Sequence, residues 1–443
     1  MNLSIPPHVV ELIRHIESAG HQVWCVGGCV RDALLGRSPA DWDLATTALP
    51  GQVKELFSEK NTVDKGLAHG TVGIPVLGGV VEITTLRVES QYMDRRRPQL
   101  VAFTQSLEQD LARRDFTVNA LAYHPDWGLT DCFGGLADLR QGLLRCVGQP
   151  EKRFQEDALR ILRCLRFAAT LGFAVHPQTL QAAKDCRELL GALSTERIRE
   201  ELTRLLCGGG AGPVLEWGKE IFFAALPELA PLDGCAQETP YHCYDCWGHT
   251  LHTVEAVPAE PLLRWAALLH DCGKPTTKSY DSHGQAHFYG HAQAGARLAE
   301  QVLHRLHFSI REAERITALV ERHGQALPIR EKRIKKLLGA WGEEGVRQLL
   351  ALVEADLLAQ APQTARQRLP LVEEARTLVR DILDRGECLG LSSLAVGGRD
   401  LLALGYQPGP ALGAALHQLL EEVLAGTLEN RREILLKKAQ EWL

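Results

Sequence analysis

The spacing of hydrophobic positions changes near residue 150, and this change divides the chain into two parts. Before that point, short apolar runs alternate with polar residues, as in the segment 41–46 with the sequence DWDLAT, which is typical of half-buried strands. These runs predict a first helix over 7–19, followed by strands over 22–26, 41–46, 70–76, 80–87 and 100–104. Beyond Glu151, apolar residues recur at helical spacing as far as the C-terminus. The pattern therefore predicts a multidomain α+β protein, with a small α/β head followed by a long all-α body.

Clusters of glycine and proline predict where the helical part is interrupted. They occur at 208–210, 227–240 and 361–363. With the change near residue 150, these breaks predict a head at 1–150, a helical neck at 151–210, a helical body at 211–360 and a helical tail at 361–443.

The composition is that of a globular protein, with 45% hydrophobic and 23% charged residues. The sequence contains no run of eighteen consecutive apolar residues, so it predicts no membrane span. The first twenty residues do not resemble a signal peptide. The twelve cysteines form no recognisable framework, and the pair Cys243 and Cys246 lacks a second such pair for a zinc site. We therefore expect reduced thiols and a cytoplasmic location.

The formal net charge of −6 does not by itself indicate a polyanionic partner. Binding depends on where cations cluster, and basic clusters occur at 95–97, 113–114, 332–336 and 431–438. Each cluster is also compatible with a solvated helix face. The composition thus permits a nucleic-acid partner without requiring one.

The head carries candidate residues for phosphoryl transfer. Asp41 and Asp43 lie two residues apart in a predicted strand, so their carboxylates should face the same side and hold Mg²⁺. Glu82, in a later strand, is a candidate third oxygen ligand. Gly28 opens the helix that follows the first strand, where backbone N–H groups can approach a phosphate, and Arg31 is placed to pair with the same anion.

Four ordered motifs carry a resemblance to a known family. Residues 26–32 (VGGCVRD) with 41–46 (DWDLAT) resemble the first motif of class II tRNA nucleotidyltransferases and bacterial poly(A) polymerases. Residues 113–120 (RRDFTVNA) are similar to the ribose-selecting motif of that family, and 131–135 (DCFGG) with Asp138 to its hinge motif. Residues 156–167 (EDALRILRCLRF) resemble its nucleotide-selecting motif. The resemblance implies template-independent addition of nucleotides to tRNA, and it implies triphosphate or ribose contacts for Arg114.

Asp157 and Arg160 are the candidate base-selecting pair. Three positions apart on a predicted helix, they should share a face. The carboxylate can accept from the amino group of cytosine or adenine while the guanidinium donates to the ring nitrogen, and uracil and guanine reverse that pattern. An intrahelical ion pair is the structural alternative. Arg163 and Arg166 continue the row and are expected to face a polyanionic ligand.

The family contains enzymes that add CCA, only CC, only A, or poly(A). The segment 87–109, with Tyr92, Asp94 and residues 95–97, resembles the intact flexible loop of full CCA-adding members. Enzymes that add only A keep this loop, so A-only addition remains an alternative.

A second candidate site lies in the helical body, at about 242–360. His249, the dipeptide His270-Asp271 and the distant Asp356 follow the order typical of the HD metal-dependent phosphohydrolase superfamily, with His291 and His323 as possible further ligands. Imidazole and carboxylate together suit Ni²⁺, Mn²⁺, Fe, Zn²⁺ or Mg²⁺, and the sequence does not choose among them.

The chain is therefore expected to be a bacterial, HD-containing, class II CCA-adding tRNA nucleotidyltransferase. Its expected partners are tRNA, ATP and CTP, and the tail is expected to contribute to tRNA binding. We expect Mg²⁺ at the head and a second divalent metal at the HD site. No membrane partner is expected. The oligomeric state is left open between monomer and homodimer. An HD phosphohydrolase with an RNA-binding head is the alternative of a different class.

Overall fold

The structure is a computed structural model that describes residues 3–64, 70–92, 98–325 and 330–443. Asp94 and the arginines 95–97 of the predicted loop lie outside the described residues. The chain divides into two units, Met1–Pro227 and Glu228–Leu443.

The first unit contains a mixed sheet and eleven α-helices among its described residues. Its strands are β1 (Val23–Val26), β2 (Asp43–Thr46), β3 (Thr71–Val76), β4 (Gly79–Thr85), β5 (Arg87–Tyr92), β6 (Pro98–Phe103), β7 (Leu121–His124), β8 (Gly128–Asp131), β9 (Leu143–Leu144) and β10 (Ala174–Val175). Its helices are α1 (Pro7–Ser18), α2 (Gly28–Leu34), α3 (Pro50–Leu56), α4 (Leu107–Ala112), α5 (Gly135–Gln141), α6 (Pro150–Glu156), α7 (Leu159–Leu171), α8 (Pro177–Asp185), α9 (Thr195–Leu206), α10 (Ala211–Trp217) and α11 (Lys219–Ala225).

The second unit is almost entirely helical. Its helices are α12 (Cys246–Ala256), α13 (Pro261–Leu269), α14 (Lys274–Thr277), α15 (His291–Arg305), α16 (Ile310–Arg322), α17 (Glu331–Leu358), α18 (Pro362–Asp384), α19 (Gly398–Leu404), α20 (Pro410–Leu424) and α21 (Arg432–Gln440). Two short strands, β11 (Ser279–Tyr280) and β12 (Ala286–His287), form a hairpin between α14 and α15. A mixed-sheet head followed by a mostly helical body is the architecture that the hydrophobic pattern predicts.

The head sheet has six strands in the order β3-β4-β2-β1-β7-β8. Strand β2 pairs with β4 in parallel and with β1 in antiparallel orientation. The sheet contributes side chains to a buried hydrophobic cluster, among them Trp24, Val26, Ala45 and Ala122. The strands β5 and β6 form a separate antiparallel hairpin. Because β2 lies inside the sheet, the polar residues at its start are held by a rigid backbone.

Two expectations about the strands are corrected. Strand β2 begins at Asp43 rather than at Asp41, which precedes it and is exposed. Strands also continue beyond residue 151, as β10 and the β11–β12 hairpin. Each of these later strands is only two residues long, too short for an alternating pattern to be recognised in the sequence.

The core of the second unit is formed by long helices. Helices α12 and α13 carry fully buried side chains, among them Trp247 and Trp265. Helix α17 contains a kink at Gly342, whose φ of 67° breaks the helical backbone. The last three helices share a core that includes Leu401, Leu419 and Leu435. Among the described residues, no helix combines the length and the apolarity that a bilayer crossing requires.

Candidate active site and candidate metal centre

Three carboxylates meet at the start of β2. Asp43 lies directly opposite Glu82 in the parallel pairing of β2 with β4. Burial, together with the neighbouring charges of Glu82 and Asp41, raises the pKa of Asp43 to about 6 against the opposing effect of Arg114. The head therefore concentrates negative charge on oxygen donors, which is an environment that a hard divalent cation stabilises.

Arg114 lies beside this carboxylate group and packs against a glycine. Gly27 has a φ of 80°, and a Cβ at this position would come within 2.6 Å of the Nη1 of Arg114. The guanidinium is held by the carboxylate of Asp110 at 3.4 Å and donates to the backbone oxygen of Asn119 at 3.5 Å. A side chain at position 27 would thus displace Arg114, which gives a physical reason for a glycine there.

Arg31 belongs to a buried polar network rather than pointing freely from its helix. Its guanidinium donates to both carboxylate oxygens of Asp32, at 2.8 and 2.9 Å, and to the side-chain oxygen of Asn119 at 2.6 Å. Asn119 in turn donates to Asp115 at 3.0 Å. Helix α2, which begins at Gly28, is thereby tied to the segment that carries the second sequence motif.

Asp115 links this network to helix α7. Burial opposes the ionisation of Asp115, but the charge of Arg163 and the hydrogen bonds from Asn119, Arg163 and the N–H of Phe116 outweigh it and lower its pKa to about 2. The Nε of Arg163 donates to Asp115 at 2.8 Å. Arg163 therefore has an internal carboxylate partner, although a third of its side chain is still exposed.

The prediction that Asp157 and Arg160 share a helical face is wrong. Asp157 ends α6 with an extended φ of −141° and ψ of 106°, and α7 begins only at Leu159. Its carboxylate accepts the N–H of Leu159 at 3.1 Å, the position that aspartate favours at the start of a helix. Because the carboxylate of Asp157 caps the following helix, α6 does not continue into α7. The two side chains therefore leave the backbone from different elements.

The same two residues do not pair with each other, so the intrahelical ion pair is absent as well. Asp157 accepts from Arg197 at 3.1 Å. Arg160 donates to Glu156 at 2.9 Å and to the backbone oxygen of Arg113 at 2.8 Å. Each member of the predicted base-selecting pair is thus held by its own partner.

Arg166, the last of the predicted row, faces a buried carboxylate. Its Nε lies 2.8 Å from Glu201, and its guanidinium lies over the ring of Phe167. Burial lowers the pKa of Arg166 to about 10. The row formed by Arg163 and Arg166 is therefore neutralised within the protein.

The second site gathers four imidazoles around Asp271. His249 and His270 have their Nε2 atoms 3.4 and 3.2 Å from the Oδ2 of Asp271. His291 and His323 have theirs 3.7 and 3.6 Å from its Oδ1. Burial opposes the ionisation of Asp271, but His270 and Lys274 hold its pKa well below the usual range.

Asp356 completes the set from the last part of α17. Its carboxylate lies 2.9 Å from the Nε2 of His249. The structure therefore brings together all six residues that the sequence predicts for this site.

The ring orientation of these histidines is that of metal ligands. In each, the Nδ1 lies within hydrogen-bond distance of a backbone oxygen: Ala359 for His249, Ala267 for His270, Phe288 for His291 and Val320 for His323. Their Nε2 atoms are left to face Asp271.

The same centre also contains buried polar atoms without partners. Among the described residues, the Nε2 atoms of His249 and His270 and the Oδ1 of Asp271 are buried without a hydrogen bond, whereas the Oδ2 of Asp271 is paired with the ammonium of Lys274 at 2.6 Å. Such atoms cost free energy unless a ligand satisfies them, so the residues fit a bound cation.

Three residues of these two sites, Asn119, Arg197 and Lys274, had no role assigned from the sequence. Asn119 and Arg197 join helices that lie far apart along the chain, and no local pattern signals such pairs. Lys274 is buried, with its ammonium 2.6 Å from Asp271 and 2.7 Å from the side-chain oxygen of Gln237. Its position three residues after Asp271 was the available signal, because this spacing places it on the same helical turn.

Comparisons with known proteins agree with this arrangement. The Poly A polymerase head domain matches residues 23–145, the HD domain matches 241–369, and the probable RNA and SrmB-binding site of polymerase A matches 172–231. The CCA-adding enzyme of Limosilactobacillus fermentum is 35% identical over 98% of this chain and 96% of its own. The chain belongs to the CCA-adding enzyme family. The CCA-adding enzyme of Leuconostoc mesenteroides is 34% identical over 98% of this chain and 95% of its own length.

A solved structure of the same family has the same fold. The CCA-adding enzyme of Bacillus stearothermophilus in complex with CTP superposes with a TM-score of 0.70 at 28% identity, covering 99% of this chain and 98% of the other. CCA-adding enzymes are tRNA nucleotidyltransferases, and the chain is therefore an enzyme of the nucleotidyltransferase class. Asp41, Asp43, Glu82 and Arg114 lie within the matched head domain.

Proposed function

We propose that this chain adds C, C and A to the 3′ end of tRNA from CTP and ATP without a nucleic-acid template. The observation that carries the proposal is the pairing of Asp43 with Glu82 across two parallel strands, with Asp41 beside them. Full-length similarity to CCA-adding enzymes supports it. The proposal includes a cytoplasmic location, which the twelve free cysteines support.

The head residues divide the chemistry of nucleotidyl transfer among them. The terminal ribose hydroxyl of tRNA attacks the α-phosphate of the nucleotide, and pyrophosphate leaves. Asp41 and Asp43, with Glu82, would hold Mg²⁺, which when bound supplies charge stabilisation for the phosphate oxygens. Arg114 lies beside these carboxylates and is placed to pair with the triphosphate, for which Gly28 and Arg31 are the other candidates.

Selection of the base rests on Asp157 and Arg160. Cytosine and adenine each present an amino donor beside a ring-nitrogen acceptor, whereas uracil and guanine leave like groups facing each other. Arg197 holds Asp157 and Glu156 holds Arg160, so both side chains are positioned before a base binds. Arg163 and Arg166 would meet the polyanionic ligand only if it competes with Asp115 and Glu201.

A second candidate activity, metal-dependent hydrolysis of phosphate esters, belongs to the HD centre. It is favoured by the buried, unsatisfied atoms of His249, His270 and Asp271 and by their position in a matched HD domain. His291, His323 and Asp356 are the further ligands proposed there.

Extension of a tRNA that ends at its discriminator base tests the proposed function. With Mg²⁺, CTP alone should give two additions and CTP with ATP should give three, because the third position requires adenine. The variant D43N, purified in parallel, reports any contaminating activity. Extension only of tRNA that already ends in CC would instead identify an A-adding enzyme.

A further inference from the structure

One buried carboxylate of the head joins two segments of the chain. Asp110 lies in α4, where Arg113 and Arg114 follow it at one-turn spacing, and only 1% of its side chain is exposed. Its Oδ1 accepts from the Nε and Nη2 of Arg113 at 2.9 and 2.7 Å, and its Oδ2 accepts from the Nη2 of Arg114 at 3.4 Å. The same Oδ1 also accepts the backbone N–H of Arg87 at 3.2 Å.

The charge of Asp110 depends on these partners. Burial opposes the ionisation of Asp110, but the charges of Arg113 and Arg114 outweigh it and lower its pKa. A negative charge that is excluded from water is stable only where such donors surround it. The carboxylate and the two guanidinium groups therefore fix one another.

Arg114 is the partner whose orientation depends most on this carboxylate. In the part of the chain that the structure describes, its guanidinium has one other acceptor, the backbone oxygen of Asn119 at 3.5 Å, and its Nε is buried without a hydrogen bond. The ion pair with Asp110 thus holds a cation that lies beside Asp43 and still has a donor for a ligand.

The same carboxylate reaches the start of the β5–β6 hairpin and the support of Arg160. Strand β5 begins at Arg87, whose N–H is the third donor to Asp110. Arg113, which Asp110 holds through its side chain, accepts from the Nη2 of Arg160 at its backbone oxygen, at 2.8 Å. A change at Asp110 is therefore expected to reach both Arg114 and Arg160.

We propose that Asp110 is a positioning residue for nucleotide binding, which holds Arg114 toward the triphosphate and, through Arg113, supports Arg160 at the base. Asp110 is buried and acts through these arginines, so it is not expected to touch the nucleotide itself. The proposal rests on the proposed function, because that function assigns Arg114 and Arg160 to the nucleotide.

Equilibrium binding of CTP and ATP tests this role without catalysis. The titrations use isothermal calorimetry with Mg²⁺ and without tRNA. D110N keeps the shape of the side chain but removes its charge, and it should weaken triphosphate binding about tenfold, because a charge-assisted contact is no longer held in place. The loss should be smaller for CMP, which lacks the β- and γ-phosphates. E108Q is the matched control, since Glu108 is an exposed carboxylate of the same helix, and it should bind like the wild type.

A double-mutant cycle separates positioning from a general effect on the fold. If Asp110 acts through Arg114, D110N should weaken binding by less than about twofold when R114A is already present. The ratio of the UTP to the CTP dissociation constant should also fall several-fold in D110N, because Arg160 is less well supported. Circular dichroism checks that each variant is folded. If D110N does not fold, D110E enters the same cycle, because it keeps the charge and moves the carboxylate by one methylene.

The outcomes distinguish this role from the proposed function. Wild-type affinity for the triphosphates in the folded variant would overturn the proposal, as would a loss of affinity that persists in the R114A background. An unchanged ratio of UTP to CTP binding would overturn the support of Arg160. Extension of tRNA by the wild type, measured on the same preparation, reports on the proposed function alone, and its absence would contradict nucleotide addition whatever the variants bind.

Discussion

At the scale of single residues, the charges that surround an aspartate of the head determine the direction in which its pKa is shifted. Two aspartates of one domain have pKa values shifted in opposite directions. Burial and like charges raise the pKa of Asp43, whereas the charge of Arg163 and three hydrogen bonds, one of them from Arg163 itself, lower that of Asp115. Asp43 is therefore held in an unfavourable ionised state that a cation relieves. Asp115 is held in a favourable ionised state that organises the backbone around it.

Replacement of Asp43 by asparagine should raise the stability of the folded chain and lower its activity. Its pKa of about 6 lies above the ordinary value of 3.8, so ionised Asp43 destabilises the folded chain above about pH 4. Without divalent cation at pH 7.5, D43N should raise the free energy of unfolding by about 1–3 kcal/mol, measured by urea titration. Nucleotide addition should fall at least about a hundredfold, because a metal-binding oxygen is lost.

The exposed carboxylate of Glu59 provides the matched control for this variant. E59Q removes one negative charge from the same unit and should change neither quantity. Equal stability of D43N and the wild type would contradict the charge argument.

Asp115 should show the reverse dependence. Its pKa of about 2 lies below the ordinary 3.8, so its stabilising effect is complete above about pH 4 and is lost as the pH falls toward 2. D115N should lower the free energy of unfolding by about 2 kcal/mol at pH 7. The difference should shrink between pH 4 and pH 3 in urea titrations at each pH, and a difference that is constant with pH would show that packing, not charge, is responsible.

At the scale of elements, the break between α6 and α7 decides how the two residues proposed to select the base are presented. A continuous helix would place Asp157 and Arg160 side by side, whereas the break gives each a separate partner. The benefit of this arrangement is that both side chains are already oriented when no nucleotide is present.

Arg197 should therefore influence selectivity although it lies outside the selecting motif. R197A leaves Asp157 without its guanidinium partner and should raise the KM for CTP and ATP several-fold, with more UTP incorporation, because the acceptor is no longer fixed.

D157A and R160A should lose discrimination against UTP and GTP, or lose activity, without unfolding. Single-nucleotide extension assays measure these effects, with R187A as a surface control, and unchanged selectivity in all three variants would refute the pairing scheme.

At the scale of the whole molecule, the two proposed metal sites belong to different structural units. The carboxylates of the head lie in Met1–Pro227 and the histidines in Glu228–Leu443. The two sites also differ in their donors, oxygen in one and mainly imidazole in the other. Different donors select different cations, so we expect that metals at the two proposed sites can be loaded and removed separately.

Substitutions in the two units should accordingly have reciprocal effects. H270A should remove transition metal from the purified protein and leave nucleotide addition within about twofold of the wild type, because the head carboxylates and the HD histidines belong to different structural units. D43N should abolish addition and leave the transition-metal content unchanged. Elemental analysis and tRNA extension on the same preparations check both, and loss of addition in a folded H270A would show that the sites are coupled.

The sequence by itself determined the positions and the chemistry of the candidate residues. The dipeptide His270-Asp271 at the end of a predicted apolar helix, and the order of the motifs around Asp43 and Asp157, are visible because local spacing reports which residues share an element. The same spacing predicted the change from a sheet-containing head to a helical body. These features depend on interactions within a few residues along the chain.

Only the tertiary structure decided which of these residues meet. The pairing of Asp43 with Glu82 depends on the register of two parallel strands, and the division of four histidines by Asp271 depends on the packing of separate helices. The failed prediction for Asp157 has the same cause, since its capping of the next helix and its contact with Arg197 overrode the helical period. Periodicity describes neighbours along one element, whereas partners across elements are chosen by packing, which the sequence pattern does not contain.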